Sequence, residues 1–295
     1  MRLGVDIGGT KTDAVIVDDA GQVLHRHVRP SGSGVEAVLA SVTGAVAHVS
    51  EMAGIEPRHA DSIGVGAPGS VVDGVVTHAQ NLDIARLDLA HELAKAWGVR
   101  PTVDNDVNAA AVGAWVTAGG GRDSIALLNL GTGLAAGVIL DGRLWRGARG
   151  SVGEIGMISF DPAGPDGPDG LPGGLETCAS GSGIAWQAGG ESAESVLARA
   201  DVDPDAALIR DRLFEAVATA VRVLILTLDV EEVLVAGGLT RMGPGLMAGA
   251  RRVMREWERQ SAFMLSVDLT ARTRMLDPDV PLAAIGAAMR GAGRG

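Results

Sequence analysis

The chain has 295 residues, 46% of them hydrophobic, and a net charge of −11, so it is long enough for two domains of ordinary size. The net negative charge and the lack of a run rich in Lys or Arg argue against nucleic acid as a partner. No uninterrupted apolar run approaches the roughly 20 residues that span a bilayer. The single cysteine, Cys178, excludes an intrachain disulfide, and the N-terminus lacks the pattern of a secretory signal, so we expect a cytoplasmic protein with no membrane or nucleic-acid partner.

Three short strands are predicted at the N-terminus, over residues 1–6, 13–17 and 23–28. The turn between the first two reads IGGTKT, in which Gly8 and Gly9 allow backbone N–H groups to approach an anion closely. Thr10 and Lys11 add donors, and Asp6 at the strand end is placed to hold Mg²⁺ through water. A glycine-rich hairpin turn is the simpler alternative, but the polar sequence favours a phosphate-binding turn. It is not a Walker A loop, because the spacing of that motif is missing.

The next predicted elements are a helix, a strand and a second helix, over residues 34–52, 62–66 and 87–97. GVGAPG at residues 64–69 matches the dinucleotide-binding pattern, but Pro68 and the sequence after it predict an extended loop where that motif requires a helix. Asp73 and Gly74 indicate a hairpin turn. Asn81 follows in a polar loop, where a turn-forming role is the alternative to ligand binding.

Residues 101–115, PTVDNDVNAAAVGAW, predict the end of a strand, a polar turn and a helix from about Val107. Asn105 and Asp106 lie where a helix N-cap belongs, and either side chain can accept a backbone N–H there. The helix dipole also favours an ionised Asp106, and an ionised carboxylate at this turn is what a base that activates a hydroxyl requires. This stretch alone leaves both roles open.

A glycine-rich segment at residues 117–122, TAGGGR, is the best candidate for a boundary between two lobes. Three strands are predicted after it, over residues 124–130, 134–140 and 143–145. The first two flank GTG at residues 131–133, and an Asp-Gly turn precedes the third. This arrangement repeats that of the N-terminal strands, and it predicts two related halves that each carry a phosphate-binding turn.

The remaining sequence alternates irregular and periodic segments. Loops are predicted over residues 149–156, which contain Glu154, and over residues 160–174, which are rich in Pro, Gly and Asp. Glu176 and Cys178 follow, and Cys178 is interpreted as a small core or turn residue because nothing near it in sequence would activate a thiol. Helices are predicted over residues 205–228, 244–259 and 282–289, with a strand over residues 232–236 that ends at Gly237 and Gly238.

Taken in order, these motifs resemble the ROK family (repressor, open reading frame, kinase) of the actin/hexokinase/Hsp70 superfamily, and the resemblance spans nearly the whole chain. The segments that carry it are DIGGTKT at 6–12, APG at 67–69, Asn81, DNDVNAAA at 104–111, NLGTG at 129–133, GEIG at 153–156, LETCASG at 175–181 and AGGL at 236–239.

The resemblance implies an α/β, two-lobed, actin-like ATPase (ribonuclease H-like) fold with ATP and sugar in the interlobe cleft. The implied domains are a small N-terminal lobe at residues 1–117, against which a C-terminal helix at residues 281–295 packs, and a large lobe at residues 118–280. It also implies an ATP-dependent sugar kinase that forms a homo-oligomer, a dimer or a tetramer.

The resemblance assigns roles to residues of this chain. Asp106 matches the catalytic base, which would take the proton of a sugar hydroxyl, typically the 6-hydroxyl, as that oxygen attacks the γ-phosphorus of ATP. The implied sugar-binding residues are Gly69, Asn81, Asn105, Asp106, Glu154 and Glu176. The implied residues for ATP and Mg²⁺ are Asp6, Gly8, Gly9, Thr10, Lys11, Thr12, Gly131, Thr132 and Gly133, with Gly237 and Gly238 against adenosine.

The sequence departs from the family pattern where many members bind structural Zn²⁺. The family has a His soon after GEIG and a cysteine cluster before LE, but here Met157 follows GEIG and residues 160–174 hold neither Cys nor His. A zinc site needs about four N or S ligands, so we predict no zinc. Because Met157 cannot donate a hydrogen bond, we expect the C1/C2 side of the sugar to be recognised differently, which leaves mannose, amino sugars and N-acyl sugars beside glucose.

Two further departures concern the phosphate turn and the family's repressor branch. Ala135 and Ala136 replace glycines after GTG, and their two added methyl groups either only stiffen the strand or alter the approach to a phosphate. The DIGGT strand begins at residue 3, without the winged helix of the repressors, so we expect no DNA-binding role. The alternatives to a hexose kinase are a catalytically silent sugar-binding regulator on the same scaffold, a kinase for an unusual amino sugar, and a kinase that uses polyphosphate.

Overall fold

The computed structural model describes residues 1–119, 121–168 and 170–290. Within these ranges the chain forms two compact units, the first containing residues 1–122, 142–144 and the chain from 281 onward, and the second containing residues 123–141 and 145–280. In the part of the chain that is described, no helix combines the length and the apolar character needed to cross a membrane.

The strands and helices are numbered separately in chain order. The strands are β1 Arg2–Ile7, β2 Lys11–Val17, β3 Val23–Pro30, β4 Ser62–Ala67, β5 Ser70–Val72, β6 Val75–Ala79, β7 Ile84–Asp88, β8 Thr102–Asn105, β9 Ile125–Leu130, β10 Leu134–Leu140, β11 Arg143–Leu144, β12 Glu232–Ala236 and β13 Thr273–Met275. The helices are α1 Val35–Ala53, α2 Leu89–Trp97, α3 Asp106–Ala118, α4 Leu175–Ala179, α5 Gly181–Gln187, α6 Ala193–Ala198, α7 Pro204–Leu228, α8 Pro244–Gln260, α9 Ala262–Val267 and α10 Leu282–Arg290.

The first unit is built on a sheet with the strand order β3-β2-β1-β4-β8. β1 pairs antiparallel with β2 and parallel with β4. Its apolar side chains, such as Leu3, Val5 and Ile7, join those of α1 in one core. Gly4 and Gly64 lie under α10, where a Cβ on either would lie 1.9 Å from a carbonyl oxygen of that helix. The small residues therefore let α10 pack directly on the sheet.

The second unit repeats this design in its own sheet. Strands β10-β9-β12-β13 follow one another, with β9 and β10 antiparallel and β12 parallel to β9, as in β2-β1-β4-β8. The long helix α7 supplies much of its core, which includes Leu213, Val217 and Leu224. The strand-turn-strand repeat predicted from the sequence is thus confirmed in the pairing of both sheets.

Most predicted elements are confirmed with small shifts at their ends, but one predicted helix begins in the wrong place. The helix expected over residues 87–97 begins at Leu89, because residues 84–88 form strand β7 against β6. The Asp88 carboxylate then caps α2 by accepting a hydrogen bond from His91 N at 3.1 Å. No helix follows GVGAPG, since β5 comes next, so the dinucleotide motif is correctly excluded.

Several short elements were missed, namely the helices α4, α5, α6 and α9 and the strand β13. Their few residues give too little periodicity to read. Three predicted segments also reach residues outside the described ranges: Gly120 in the glycine-rich boundary, Asp169 in the loop at 160–174, and residues 291–295 of the C-terminal segment.

Candidate active site

In the turn between β1 and β2, the carbonyl oxygens of Gly8 and Thr10 accept hydrogen bonds from another part of the chain. Gly8 N donates to Lys11 O at 2.9 Å, which closes the turn. Ser31 donates its hydroxyl to Gly8 O at 2.6 Å and its N–H to Thr10 O at 3.1 Å. Carbonyl oxygens would repel an anion, so their occupation by Ser31 leaves the donors of the turn to face solvent.

Those donors are available in the structure. The amides of Gly9 and Thr10 make no hydrogen bond to any described residue, and Gly9, Thr10 and Lys11 are exposed. Thr12 differs, because it is fully buried and its hydroxyl lies 3.1 Å from Ser31 Oγ. Two amides, a hydroxyl and an ammonium in one turn are thus available to an anion, while the buried Thr12 contacts Ser31, which binds the turn.

The turn between β9 and β10 has the same arrangement within the second unit. Gly131 N donates to Gly133 O at 3.0 Å. Gly181 N donates to Gly131 O at 2.9 Å, and the Ser182 hydroxyl donates to Thr132 O at 2.6 Å. The amides of Thr132 and Gly133 have no partner among the described residues, so this turn is a second candidate phosphate site.

A group of carboxylates lies beside the first turn. Asp6, the half-buried carboxyl near the end of β1, is the register partner of Asp13. Desolvation, and then the charges of Asp106 and Asp13, raise the pKa of Asp6 to about 8. Asp13 is itself paired with Arg26 at 2.7 Å, whereas the charge of Lys11 partly opposes the rise in the pKa of Asp6. A position where carboxylates repel each other in this way favours a bound cation.

These residues fit Mg²⁺ held mainly by other ligands. Among the described residues, no group of three or more His, Cys, Asp or Glu is arranged to hold a metal ion. Mg²⁺ keeps several waters and binds one or two carboxylates together with substrate phosphates. A cation near Asp6 would therefore take its remaining ligands from water and from a phosphate on the Gly9–Thr10 amides.

The two candidate roles of residues 105 and 106 are divided between the two side chains. Asn105 is the N-cap of α3, since its Oδ1 accepts hydrogen bonds from Val107 N at 2.9 Å and Asn108 N at 3.2 Å. Its Nδ2 donates to Gly69 O at 3.1 Å. Asp106 is the first helical residue and accepts from Val107 N at 2.9 Å. The cap interpretation is confirmed for Asn105, and Asp106 lies at the positive end of the helix, close enough to Asp6 to shift its pKa.

Asn81 lies against the first turn, although the sequence separates the two widely. A Cβ on Gly9 would be 3.2 Å from the Cβ of Asn81, and the Asn81 side chain is exposed. The first unit therefore gathers the polar groups of Asn81, the Gly8–Thr10 turn, Asp6 and Asp106.

In the second unit Glu176 is bound to the strand that follows the GTG turn. Its Oε2 accepts a hydrogen bond from Leu134 N at 2.8 Å, and a Cβ on Gly133 would lie 2.7 Å from that oxygen. Burial, and then the charge of Glu176, raise the pKa of the half-buried Glu154. The two predicted sugar-binding glutamates are therefore neighbours, and Glu176 also holds the base of the second turn.

Gly237 and Gly238 follow β12 with different surroundings. Gly237 has a φ of 99°, and a Cβ there would lie 2.5 Å from the carbonyl carbon and oxygen of Leu130. A Cβ on Gly238 would meet nothing within 4 Å. Only glycine fits the first position, and the second faces open space that a ligand can enter.

Sequence reasoning missed the residues that support the two turns. Ser31 acts from the end of β3, and Gly181 and Ser182 act from the start of α5. The sequence did offer a signal for the start of α5, because a Ser-Gly-Ser-Gly run is typical of a helix start. Ser180 indeed caps α5 by accepting a hydrogen bond from Gly183 N at 2.9 Å.

Cys178 and Met157 occupy the region where the family pattern has metal ligands. Cys178 is buried, and desolvation raises the pKa of its thiol to about 11, so it is the unreactive core residue that was predicted. Met157 is 50% exposed.

The absence of zinc stays a prediction. We expect less than 0.1 equivalent of zinc, on the order of a trace contaminant, because too few N and S ligands are present for a closed site. Elemental analysis of the purified protein, before and after dialysis against a chelator, measures this. One tightly held equivalent would show that residues 157–178 have been misinterpreted.

Comparison with known proteins shows which family the chain is similar to. Residues 2–277 match the ROK family. Glucokinase from Thermotoga maritima is 32% identical over 275 residues, which cover 84% of this chain and 85% of that protein. The ROK hexokinase from Thermus thermophilus superposes with a TM-score of 0.80 at 27% identity and covers 98% of this chain and 97% of its own.

A second solved structure carries both kinds of ligand. The ROK family glucokinase from Streptomyces griseus, in complex with glucose and AMPPNP, superposes with a TM-score of 0.78 at 27% identity and covers 98% of both chains. The predicted family and fold are confirmed: the chain belongs to the ROK family, and it is a carbohydrate kinase with the actin-like ATPase fold.

Proposed function

We propose that this kinase transfers the γ-phosphoryl group of ATP to the 6-hydroxyl of a hexose or hexose derivative, with Asp106 as general base. The observation that carries the proposal is the position of Asp106, at the positive end of α3 and within electrostatic reach of Asp6 beside the Gly8–Thr10 turn. A base next to a phosphate-binding turn is the arrangement that phosphoryl transfer to a hydroxyl requires.

The residues of the first unit then divide the work of catalysis and phosphate binding. Asp106 accepts the proton of the 6-hydroxyl as that oxygen attacks the γ-phosphorus, and Asn105 fixes the start of the helix that carries the base. The amides of Gly9 and Thr10 and the Lys11 ammonium bind phosphate oxygens. Mg²⁺, when bound, supplies charge neutralisation at the phosphates, and Asp6 would hold it through water.

The second unit supplies further contacts in this proposal. The amides of Thr132 and Gly133 bind the phosphates, and Gly238 lies against the adenosine. Glu154 and Glu176 accept hydrogen bonds from sugar hydroxyls, and Asn81 also binds the sugar. Asn105 donates to a sugar hydroxyl through the second N–H of its Nδ2, because its Oδ1 already accepts from Val107 N and Asn108 N. The Glu176–Leu134 hydrogen bond supports this assignment, because it fixes one carboxylate oxygen and aims the other.

Coupled ADP release with Mg²⁺-ATP against a hexose panel tests the proposal. The panel contains glucose, mannose, glucosamine, 3-amino-3-deoxyglucose, N-acetylglucosamine and N-acetylmannosamine, and phosphorus NMR of the product locates the phosphate. We expect sugar-dependent ADP formation and a 6-phosphate. If no sugar stimulates ADP release, polyphosphate replaces ATP in a second panel, and silence in both with retained sugar binding would support the regulator alternative instead.

A further inference from the structure

A cavity of about 90 Å³ opens beside Glu176 in the second unit. Its lining includes the side chains of Met157, Pro168, Leu171, Glu176, Thr177 and Ser182. Glu176 is a sugar-binding residue in the proposed function, so any group that enters this cavity from a bound sugar is a substituent next to the hydroxyl that Glu176 contacts.

One wall of the cavity is apolar and partly uncovered. Met157 and Leu171 are 50% and 46% exposed, and both line the opening. Two large apolar side chains on one small cavity give a hydrophobic group of a ligand a surface to pack against.

The Leu171 side of the cavity lies on a loop that is held by hydrogen bonds. Gly167 N donates to Leu171 O at 2.9 Å, and Gly173 N donates to Pro165 O at 2.8 Å. The Trp186 indole N–H donates to Asp166 O at 2.9 Å. These bonds position Leu171 without a ligand, as is usual for the lining of small-molecule sites.

The rest of the lining is partly polar, with Thr177, Ser182 and the carboxylate of Glu176. Glu176 lies close to Glu154, as the raised pKa of Glu154 indicates, and no Lys, Arg or His is among the lining residues that the structure describes. An anionic substituent would meet the Glu176 carboxylate in the cavity, with the charge of Glu154 close to it, and no compensating cation in the described part of the lining. The occupant is therefore neutral or cationic at its polar end and apolar at its other end.

We propose that this cavity receives the acyl group of an N-acylated hexosamine, which makes such a sugar the preferred acceptor. The inference rests on the proposed function, through the assignment of Glu176. An apolar cavity of roughly 150 Å³ holds benzene, which has six carbon atoms, so a cavity of about 90 Å³ has room for three or four heavy atoms. An acetyl group has three. Its methyl packs on Met157 and Leu171, and the adjacent hydroxyl donates to Glu176.

The free amine is the closest competitor, and it fits less well. An ammonium would pair with Glu176 but would leave the Met157–Leu171 wall without a partner. One methyl group in an apolar pocket discriminates between substrates by about 10–200-fold. We therefore expect kcat/KM for N-acetylglucosamine or N-acetylmannosamine to exceed that of both the free amine and the parent hexose by at least about 10-fold.

A pair of matched variants tests whether the cavity causes the preference. Met157→Trp fills the cavity, and Met52→Trp is the control, because Met52 is 51% exposed on α1 and lies outside the cavity. We expect Met157→Trp to reduce the ratio of kcat/KM between the N-acyl sugar and its parent hexose about 10-fold, and Met52→Trp to keep the ratio. Leu171→Ala, which removes half of the wall, is expected to reduce the ratio as well.

The outcomes separate this inference from the proposed function. A parent hexose or free amine that is phosphorylated most efficiently, or a ratio that neither cavity variant changes, would overturn the inference and leave the kinase proposal intact. Calorimetric binding of N-acetylmannosamine or N-acetylglucosamine, lost in Met157→Trp but unaccompanied by turnover, would keep the cavity assignment and remove the proposed reaction. Absence of both binding and turnover for the N-acyl sugars would contradict the inference outright.

Discussion

Asp106→Asn is expected to lower kcat by about 10²- to 10⁴-fold, the usual contribution of a general base. Asparagine has the same shape and can still accept a hydrogen bond from Val107 N, as Asp106 Oδ1 does at 2.9 Å. The cap made by Asn105 is untouched, so the start of α3 stays folded and the sugar keeps its contacts. We therefore expect the Kd for the sugar to stay within several-fold, measured by calorimetry beside coupled ADP release.

Asp205→Asn is the matched control for this substitution. Asp205 also lies in the first turn of a helix, α7, and is exposed there. It shares the helix-dipole environment but not the neighbourhood of the phosphate turn, so kcat should not change. Turnover retained by Asp106→Asn would refute the base assignment, whereas equal losses in both variants would indicate a general effect of charge at helix starts.

The phosphate turns show how far the sequence predicts a site and where it stops. Both turns could be predicted from their glycines, because glycine is the residue that allows the backbone to approach an anion closely. Whether the amides are available depends on what binds the carbonyl oxygens, and those partners come from 23 residues away in Ser31 and 50 residues away in Ser182. No local pattern reports such contacts, since they arise from the pairing of whole elements.

Residues 105 and 106 illustrate the same limit at shorter range. The sequence predicted that one of two side chains would cap the helix, but the choice depends on the exact helix start and on Gly69, which accepts a hydrogen bond from Asn105 Nδ2 at 3.1 Å. Asn81, which lies close to Gly9, likewise stands between β6 and β7 of a three-stranded sheet, and the predicted helix wrongly included the last two residues of β7. Residue type was enough to predict which side chains can cap a helix or bind a ligand, but not where those side chains lie in the fold.

Gly286→Ala is expected to destabilise the protein by about 1–3 kcal/mol, the usual cost of overpacking. A Cβ on Gly286 would lie 1.8 Å from Ala109 O and 2.5 Å from Gly113 N. Both are backbone atoms of α3, which cannot move aside as a flexible side chain would. Alanine improves helix propensity by up to about 1 kcal/mol, so a net loss would measure the strain at this contact. Urea unfolding, with the midpoint and slope compared to the unmodified protein, gives the free energy.

Gly245→Ala is the control, because the same substitution in α8 meets nothing within 4 Å. We expect its free energy of unfolding to rise or to change by less than about 0.5 kcal/mol. Equal stability of the two variants would show that α10 adjusts its position without cost, contrary to the close packing in the structure.

The contact also connects stability to catalysis. α10 packs on α3, the helix that begins at Asp106, and Arg290 at the end of α10 forms an ion pair with Asp104, two residues before the base. Asp104 is buried and accepts a hydrogen bond from Asn105 N at 2.8 Å. A displaced α10 therefore moves both the helix and the turn that hold Asp106. At urea concentrations below the denaturation midpoint, where the protein is still folded, we expect Gly286→Ala to have a lower kcat than the unmodified protein. Gly245→Ala should keep full activity under the same conditions. Loss of stability without loss of kcat would mean that the base is positioned by β8 and the Asn105 cap alone.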